Sequence, residues 1–229
     1  MTNAAEMLAQ TENPGGRRLS DIAYQRILET LFERKIPAGA FVSQNELVRL
    51  LGIPVAPLRD ALRSLEAEGV LTIHPRSGIQ FVKPGLELTR STYQFRGIIE
   101  KAAVAVYAET ADEAELAAIE QRHLALIQGF ETDGITEPLK TEMEALEQLL
   151  HNAIVGALSN PLIETTYRRM HNYLRLVRLD RKLTVPLALR SLREHMVIIA
   201  ACKARDPDAA TAAVAAHFGA ALQRHMGLY

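Results

Sequence analysis

The spacing of apolar residues separates a mixed N-terminal region from a remainder that is helical throughout. Over the first 84 residues the spacing is first helical and then, near the end, alternates as in short strands. The first helix is predicted to be capped by Ser20-Asp21, and the turn residues Pro37-Ala38-Gly39 end it. Its predicted buried face is Ile22, Ala23, Ile27 and Leu31.

Two short helices joined by a tight turn are predicted next. Ser43 and Glu46 have the spacing of a capping box, in which each side chain satisfies a backbone N–H at the helix start. Gly52 ends this helix, and a second helix begins around Pro54 and runs to Gly69. The apolar faces are Leu47, Leu50 and Leu51 on the first helix and Leu58, Ala61, Leu62 and Leu65 on the second. The pair is a helix-turn-helix.

A β-hairpin follows, because β-prone residues flank the turn Pro75-Arg76-Ser77-Gly78. A hairpin directly after a helix-turn-helix is a wing. Arg59 and Arg63 lie on the outer face of the second helix, and Arg76 lies at the hairpin tip. Guanidinium groups on one surface suit phosphates and the acceptor edge of guanine, so residues 19–84 are predicted to bind double-stranded DNA. The alternative is a helical pair that packs on its own protein and leaves its arginines solvated.

Beyond the wing only helical spacing is found. Residues 85–88 are predicted to be a linker, and residues 89–229 an effector and dimerisation domain. Its six helices are predicted near residues 89–109, 112–131, 136–158, 160–182, 185–205 and 207–226. Short loops between helices predict an antiparallel bundle, whose interior can hold a small molecule or a metal. The predicted fold class is therefore mainly α, with a winged helix-turn-helix followed by an all-α six-helix bundle.

Composition and charge narrow the possible partners. An apolar content of 48% predicts a globular protein, and a net charge of −1 means that the chain is not a polycation. Residues 1–85 hold ten Lys/Arg and nine Asp/Glu, so DNA affinity must depend on where the cations lie. The single cysteine, Cys202, indicates a reducing compartment and is predicted to be a core residue; no apolar run predicts a membrane span, so we expect a cytoplasmic protein. Residues 1–18 are predicted to be a disordered tail.

The N-terminal motifs resemble those of GntR-type bacterial transcription regulators. The resemblance rests on Ile36-Pro37-Ala38-Gly39, Glu46-Leu47, Leu51-Gly52, the run from Pro57 to Leu62, Leu65-Glu66, Glu68-Gly69 and Gly78. Together with the pattern, it implies a DNA-binding set of Ser43, Asn45, Val55, Ala56, Arg59, Arg63, Arg76 and Gly78. Pro54-Val55 stands where the family usually has Ser/Thr-Arg, and Asn45 where it often has Arg. The operator sequence therefore cannot be taken from relatives.

The C-terminal motifs resemble the FCD effector domain of FadR-type GntR regulators, and six helices suggest the VanR-like subgroup. The resemblance rests on Arg96-x-x-x-Glu100, Glu147-x-x-x-His151, Asn160-Pro161, Glu194-His195 and His217. It implies that Glu147, His151, His195 and His217 bind a divalent metal, with zinc expected first and nickel or manganese as alternatives. Glu147 and His151 lie four residues apart and share a helix face. Glu147 stands where the family has Asp.

Other features of this domain allow two interpretations. Each histidine taken singly is more often a buried, hydrogen-bonded residue than a ligand. The four remaining histidines, His74, His123, His171 and His225, are predicted to be wing, surface or solvent-side residues. By resemblance, Arg96 binds the carboxylate of a small organic-acid effector, with Arg175 and Arg178 as further candidates. Alternatively, Arg96 and Glu100 form a solvated surface pair.

Three functions remain open on these residues. The first is a homodimeric transcription regulator, a repressor in the usual sense of the family, whose affinity for a pseudo-palindromic operator responds to the acid. The second is a DNA-binding protein with a purely structural metal and no effector. The third is a metal-dependent hydrolase or oxygenase fused to a DNA-binding domain, but no arrangement of nucleophile and base supports catalysis.

Overall fold

The computed structural model describes residues 18–179 and 182–226, and the chain divides into two compact units, one that ends at Gly85 and one that begins at Leu86. Most of the predicted tail, residues 1–17, lies outside the described residues. No helix among the described residues has the length and apolar character needed to cross a membrane. The elements of the N-terminal unit are α1 (Leu19–Phe32), β1 (Phe41–Val42), α2 (Gln44–Leu51), α3 (Val55–Ala67), β2 (Leu71–His74) and β3 (Gly78–Phe81).

The helix-turn-helix forms as the sequence predicts. The Ser43 hydroxyl accepts from the Glu46 amide at 3.2 Å, and the Ser43 amide donates to the Glu46 carboxylate at 2.6 Å, which completes the capping box. Gly52 ends α2 with a left-handed φ of 64°, where a residue without Cβ is favoured. The buried face of α3 is the predicted set, Leu58, Ala61, Leu62 and Leu65.

Three details of this unit differ from the prediction. Helix α1 begins at Leu19 with no side-chain cap, so Ser20-Asp21 lies inside its first turn. Leu50 points outward with 51% exposure, since an eight-residue helix buries only the i,i+4 pair Leu47 and Leu51. The third difference is an added strand, β1, which is only two residues long and therefore gives no alternating pattern.

The wing is a three-stranded antiparallel sheet in the order β1-β3-β2. In the β2–β3 hairpin, Ile73 is opposite Ile79 and His74 is opposite Gly78. Gly78 has a φ of +128°, and a Cβ there would lie 2.8 Å from both the Phe41 ring and the Val42 carbonyl. The strand that the sequence hides therefore explains why the wing needs glycine at this position.

The C-terminal unit contains six helices among its described residues. They are α4 (Leu86–Thr110), α5 (Glu113–Asp133), α6 (Glu137–Gly156), α7 (Pro161–Arg178), α8 (Val185–Lys203) and α9 (Pro207–His225). Residues 86–88 form the first turn of α4, so the predicted linker is already helical there. The Asn160 and Asp206 side chains cap α7 and α9 ahead of a proline, as their sequence pattern predicts.

Packing of these helices creates a core that polar groups penetrate. Helix α4 packs against α6 and α9, and α8 packs against α5 and α9. The core contains the predicted small residue Cys202, which is fully buried. The buried charged and imidazole side chains of this unit are Arg96, Glu100, His123, Glu147, His151, His195, His217 and Arg224.

Candidate metal centre and DNA-binding surface

The four residues of the predicted metal set meet inside the C-terminal unit. Glu147 and His151 come from α6, His195 from α8 and His217 from α9. All four side chains are buried, and one potential ligand atom from each lies within 4.8 Å of the others. We call these four residues the histidine cluster.

The free atoms of the cluster fit a cation. The Nε2 atoms of His151, His195 and His217 are buried and have no hydrogen-bond partner among the described residues. Zinc bonds of about 2.0–2.2 Å place neighbouring ligands roughly 3.0–3.6 Å apart. The most widely spaced ligand atoms of the cluster, which lie within 4.8 Å of one another, would therefore have to approach by about an ångström. Three imidazole nitrogens and one carboxylate are ligands that suit zinc and similar ions.

Carboxylates orient two of the three imidazoles. The Nδ1 of His151 lies 2.5 Å from the Glu100 carboxylate, and that of His217 lies 2.9 Å from the Glu194 carboxylate. Glu194 is held in turn by two hydrogen bonds from Arg224, at 2.6 and 2.8 Å. Because a carboxylate accepts the Nδ1–H, each Nε2 keeps its lone pair, which is the state that a metal ligand requires.

His123, a histidine outside the cluster, orients the imidazole of His195. The Nε2 of His123 lies 3.1 Å from the Nδ1 of His195, and the Nδ1 of His123 lies 2.8 Å from the Ile119 carbonyl. His123 is fully buried, so its predicted position at the surface is wrong. It lies on the apolar stripe of α5, which also comprises Leu116, Ile119, Leu126 and Phe130.

Glu147 links the cluster to two arginines. Its Oε1 accepts from Arg178 at 2.6 Å and from Arg96 at 3.4 Å, and it lies 3.6 Å from the Nε2 of His151. Its Oε2 lies 3.6 Å from the Nε2 of His195. Both carboxylate oxygens therefore face groups that carry or can accept positive charge.

Protonation states follow from this environment. Burial would raise the pKa of Glu147, but Arg178, His151 and His195 outweigh it and hold that pKa well below its usual range. Burial lowers the pKa of His217, and lowers that of His195 well below its usual value. The cluster thus combines an ionised carboxylate with two imidazoles, those of His195 and His217, that favour the neutral, metal-binding form.

Arg96 makes the predicted pair with Glu100, but not at the surface. It does pair with Glu100, with its Nε 2.8 Å from the carboxylate, but the pair is completely buried rather than solvated. Its Nη2 is buried and has no hydrogen-bond partner among the described residues. Burial would raise the pKa of Glu100, but Arg96 and His151 lower it to about 2.

Of the two further candidates for effector binding, Arg178 reaches the cluster and Arg175 does not. Arg175 is exposed, whereas Arg178, one turn later on α7, reaches Glu147. The Arg178 side chain is 31% exposed, so it lies between the buried cluster and solvent.

Two of the histidines outside the cluster are half-buried. The His171 ring lies against Tyr167, and His225 lies beside Tyr93.

Five supporting residues were not assigned to the site from sequence: Glu100, His123, Tyr167, Glu194 and Arg224. The Tyr167 hydroxyl donates to Glu100 at 2.5 Å, so that this carboxylate has three partners. The apolar stripe around His123 is the one signal that could have placed that residue inside. Spacing pairs Glu100 only with Arg96 on its own helix. It cannot identify the other contacts of these residues, because those partners lie on other helices.

The predicted DNA-binding residues lie on the N-terminal unit. Asn45, Val55, Ala56, Arg59, Arg63 and Arg76 are exposed. Ser43 is also exposed, although its hydroxyl takes part in the helix cap, and Gly78 is half-buried in the wing sheet. The Arg59 Nε lies 3.2 Å from the Gln44 amide oxygen, so α2 helps to hold this arginine at the start of α3.

Comparisons with known proteins agree with both units. The FCD domain family matches residues 91–220, and the family of bacterial regulatory proteins called gntR matches residues 19–81. The chain is 25% identical over 199 residues to the uncharacterised HTH-type transcriptional regulator YdhC of Bacillus subtilis (strain 168), covering 85% of each protein. It is 28% identical over 193 residues to the Nta operon transcriptional regulator of Aminobacter aminovorans, covering 82% of this chain and 83% of that protein.

Solved structures share the fold at lower identity. The E. coli protein McbR/YncC superposes with a TM-score of 0.72 at 18% identity, over 93% of this chain and 99% of that one. The zinc-bound FCD domain of TM0439 superposes with a TM-score of 0.50 at 19% identity, over 62% of this chain and 94% of that one. The matched families and named relatives are transcription regulators, not enzymes. The chain therefore belongs to the GntR family of bacterial transcription regulators and carries a C-terminal FCD domain.

Proposed function

We propose that this regulator controls transcription through a small organic acid bound beside a divalent metal in the histidine cluster. The observation that carries the proposal is the set of three buried Nε2 atoms that have no hydrogen-bond partner in the described part of the chain, gathered around the Glu147 carboxylate. Lone pairs buried without a donor are costly, and a cation would satisfy all three at once. The zinc-bound FCD domain of TM0439, which has the same fold, supports zinc as the first ion to test.

The charges around the cluster favour an anionic effector. Among the buried or partly buried groups, three carboxylates face three guanidinium groups, so they balance: Glu100, Glu147, Glu194, Arg96, Arg178 and Arg224. A divalent ion would leave this balanced set with two positive charges. When bound, the metal would supply a Lewis-acidic coordination position for a carboxylate, since four protein ligands do not complete a five- or six-coordinate shell.

The arginines support the same conclusion. The buried Nη2 of Arg96 has no hydrogen-bond partner among the described residues. Buried donors are normally paired, so this one is available to donate to the carboxylate of an effector. Arg178 reaches solvent while it contacts Glu147, so it can meet an incoming acid first. An Arg fork matches a carboxylate with two parallel hydrogen bonds. We therefore propose Arg96 and Arg178, rather than Arg175, as the effector-binding cations.

The DNA-binding unit would read the operator with few charges. Helices of this class place their N-terminal residues against base edges in the major groove. In α3 these residues are Val55, which is 38% exposed, and Ala56, followed by Arg59. Apolar side chains contact the methyl group of thymine, and arginine pairs with guanine. We therefore propose a half-site that combines thymine with guanine.

The remaining parts of the proposal are the assembly and the direction of control. A homodimer would place two α3 helices in successive major grooves of a pseudo-palindromic operator. An acid that binds one arrangement of the two DNA-binding units more tightly shifts the dimer toward it. We propose relief of repression in the cytoplasm as the outcome.

Three measurements test this function. Native mass spectrometry with elemental analysis of the purified protein should find one divalent ion per chain and two chains per assembly. Isothermal calorimetry of the zinc-loaded protein with a panel of mono-, di- and tricarboxylates should give heat for at least one acid, and its neutral amide of the same size should give none. That acid should change affinity for DNA selected from a random pool. Bound metal with no response to any acid would indicate a purely structural ion.

A further inference from the structure

The third metal-ligand histidine differs from the other two in its supporting partner. Glu100 and Glu194 accept from His151 and His217, but the partner of His195 is a neighbouring imidazole, His123. An imidazole can donate or accept at either nitrogen, so contact with it does not by itself decide which nitrogen of His195 carries hydrogen. The decision must come from the other contacts of His123.

The backbone carbonyl of Ile119 determines which nitrogen of His123 carries the hydrogen. The Nδ1 of His123 lies 2.8 Å from the Ile119 carbonyl, and a carbonyl only accepts, so Nδ1 carries the hydrogen. The ring is fully buried and has no ion pair with a carboxylate among the described residues, which makes a charged imidazolium costly. A neutral His123 therefore has a lone pair on Nε2, 3.1 Å from the Nδ1 of His195.

The tautomer of His195 follows from this chain of contacts. Its Nδ1 donates to His123, so a neutral His195 has its lone pair on Nε2, which lies 3.6 Å from the Glu147 Oε2. The reverse tautomer would point an N–H into the cluster and prevent coordination. We propose that His123 is a positioning residue, which carries the polarity of the Ile119 carbonyl to His195 and holds that ligand ready for metal.

This inference rests on the proposed metal centre, and it goes beyond it because His123 contacts no ligand atom of the ion. Two substitutions of nearly equal size separate positioning from packing. In His123→Gln the amide oxygen can reach the place of Nε2 and accept from His195, whereas in His123→Asn the shorter amide reaches only the place of Nδ1. Both variants keep a polar group in the same buried space.

Zinc affinity is the first readout. Competition with a chromophoric chelator should show His123→Asn binding zinc about 10–100-fold more weakly than wild type, the usual effect of removing an outer-shell partner. His123→Gln should stay close to wild type. Circular dichroism and thermal unfolding of the metal-free proteins should show that both variants fold. Equal losses in the two variants, or wild-type affinity in His123→Asn, would overturn the proposal.

The tautomer itself is the second readout. Two-bond ¹H–¹⁵N correlation spectra of the metal-free wild-type protein should identify His195 as the Nδ1–H tautomer, and His123→Asn should lose that single state. A wild-type His195 with hydrogen on Nε2 would refute the assignment directly. This spectrum needs no metal, so it decides the role of His123 even if the protein fails to bind zinc.

Discussion

Replacing His195 by alanine should remove most of the stabilisation that zinc gives to the protein. A ligand that binds only the folded state stabilises it by about 4.1 kcal/mol at a concentration 1,000 times its Kd. For a chain of this size, about 1 kcal/mol moves Tm by about 2–4 °C, so zinc should raise the Tm of the wild type by about 8–16 °C. His195 matters because its Nε2 is one of the three imidazole nitrogens in the cluster.

The variant should respond to zinc far less. Losing a ligand should weaken binding by at least the ~100-fold that removal of an outer-shell partner can cause. At the same zinc concentration the stabilisation then falls to about 1.4 kcal/mol or less, which corresponds to about 3–6 °C. The substitution also leaves His123 without its imidazole partner, so the metal-free Tm of the variant will itself change. The quantity to compare is therefore the zinc-induced shift within each protein.

Differential scanning fluorimetry with and without zinc, after removal of metal by a chelator, measures this shift. His74→Ala is the matched control, because it removes a half-buried histidine from the wing and leaves the cluster intact. We expect a wild-type shift in the control and a small one in His195→Ala. A full zinc shift in His195→Ala would refute the cluster as the metal site.

Three further predictions concern DNA binding, the wing and pH. Arg59→Ala should keep its fold and weaken binding to pool-selected DNA by about 1–3 kcal/mol in fluorescence anisotropy. The control Arg193→Ala, which removes an exposed cation from α8, should bind DNA normally. Unchanged affinity in Arg59→Ala would contradict a base contact. Gly78→Ala should destabilise the N-terminal unit by about 1–3 kcal/mol, because φ is +128° and a Cβ would lie 2.8 Å from its neighbours. The control Gly85→Ala should not, because its Cβ would meet no described atom within 4 Å. Equal thermal unfolding of the two variants would contradict the wing geometry. The metal-free protein should lose stability as pH falls below about 6.5. Burial lowers the pKa of His171 from 6.5 to about 4 and also lowers the pKa values of His195 and His217, so the unfolded chain binds more protons than the folded one in this range. A Tm that stays constant between pH 7 and pH 5 would contradict this protonation scheme.

Local signals in the sequence were sufficient for several helix ends and for the helix-turn-helix. The Ser43–Glu46 box, Gly52 and the Asn160-Pro161 and Asp206-Pro207 pairs each involve neighbouring residues, and each forms the cap or stop that it predicts. Strand β1 escaped prediction because two residues contain no periodicity, and pairing with β3 depends on a residue about 40 positions away.

The histidine cluster could be predicted only in part, and for a similar reason. Glu147 and His151 share a helix face by spacing alone, but His195 and His217 came from a family resemblance and not from periodicity. Which charges meet inside a bundle depends on the rotation of each helix. That rotation brings Arg178, and not Arg175, to Glu147, and it turns the apparent surface pair of Arg96 and Glu100 into a buried one.

The position of His123 shows where reliance on the family resemblance misled the prediction. His123 matches no position of the resembled motif, and on that ground it is predicted among the wing, surface or solvent-side histidines. Its spacing from Leu116, Ile119, Leu126 and Phe130 places it on the buried stripe of α5.

The most direct test of the central claim is anomalous diffraction from crystals of the zinc-loaded protein, measured above and below the zinc absorption edge. The account predicts one strong zinc peak per chain, about 2.0–2.2 Å from a Glu147 oxygen and from the Nε2 atoms of His151, His195 and His217. A zinc-loaded crystal with no peak at these four residues, or with its ordered zinc held elsewhere on the chain, would contradict it.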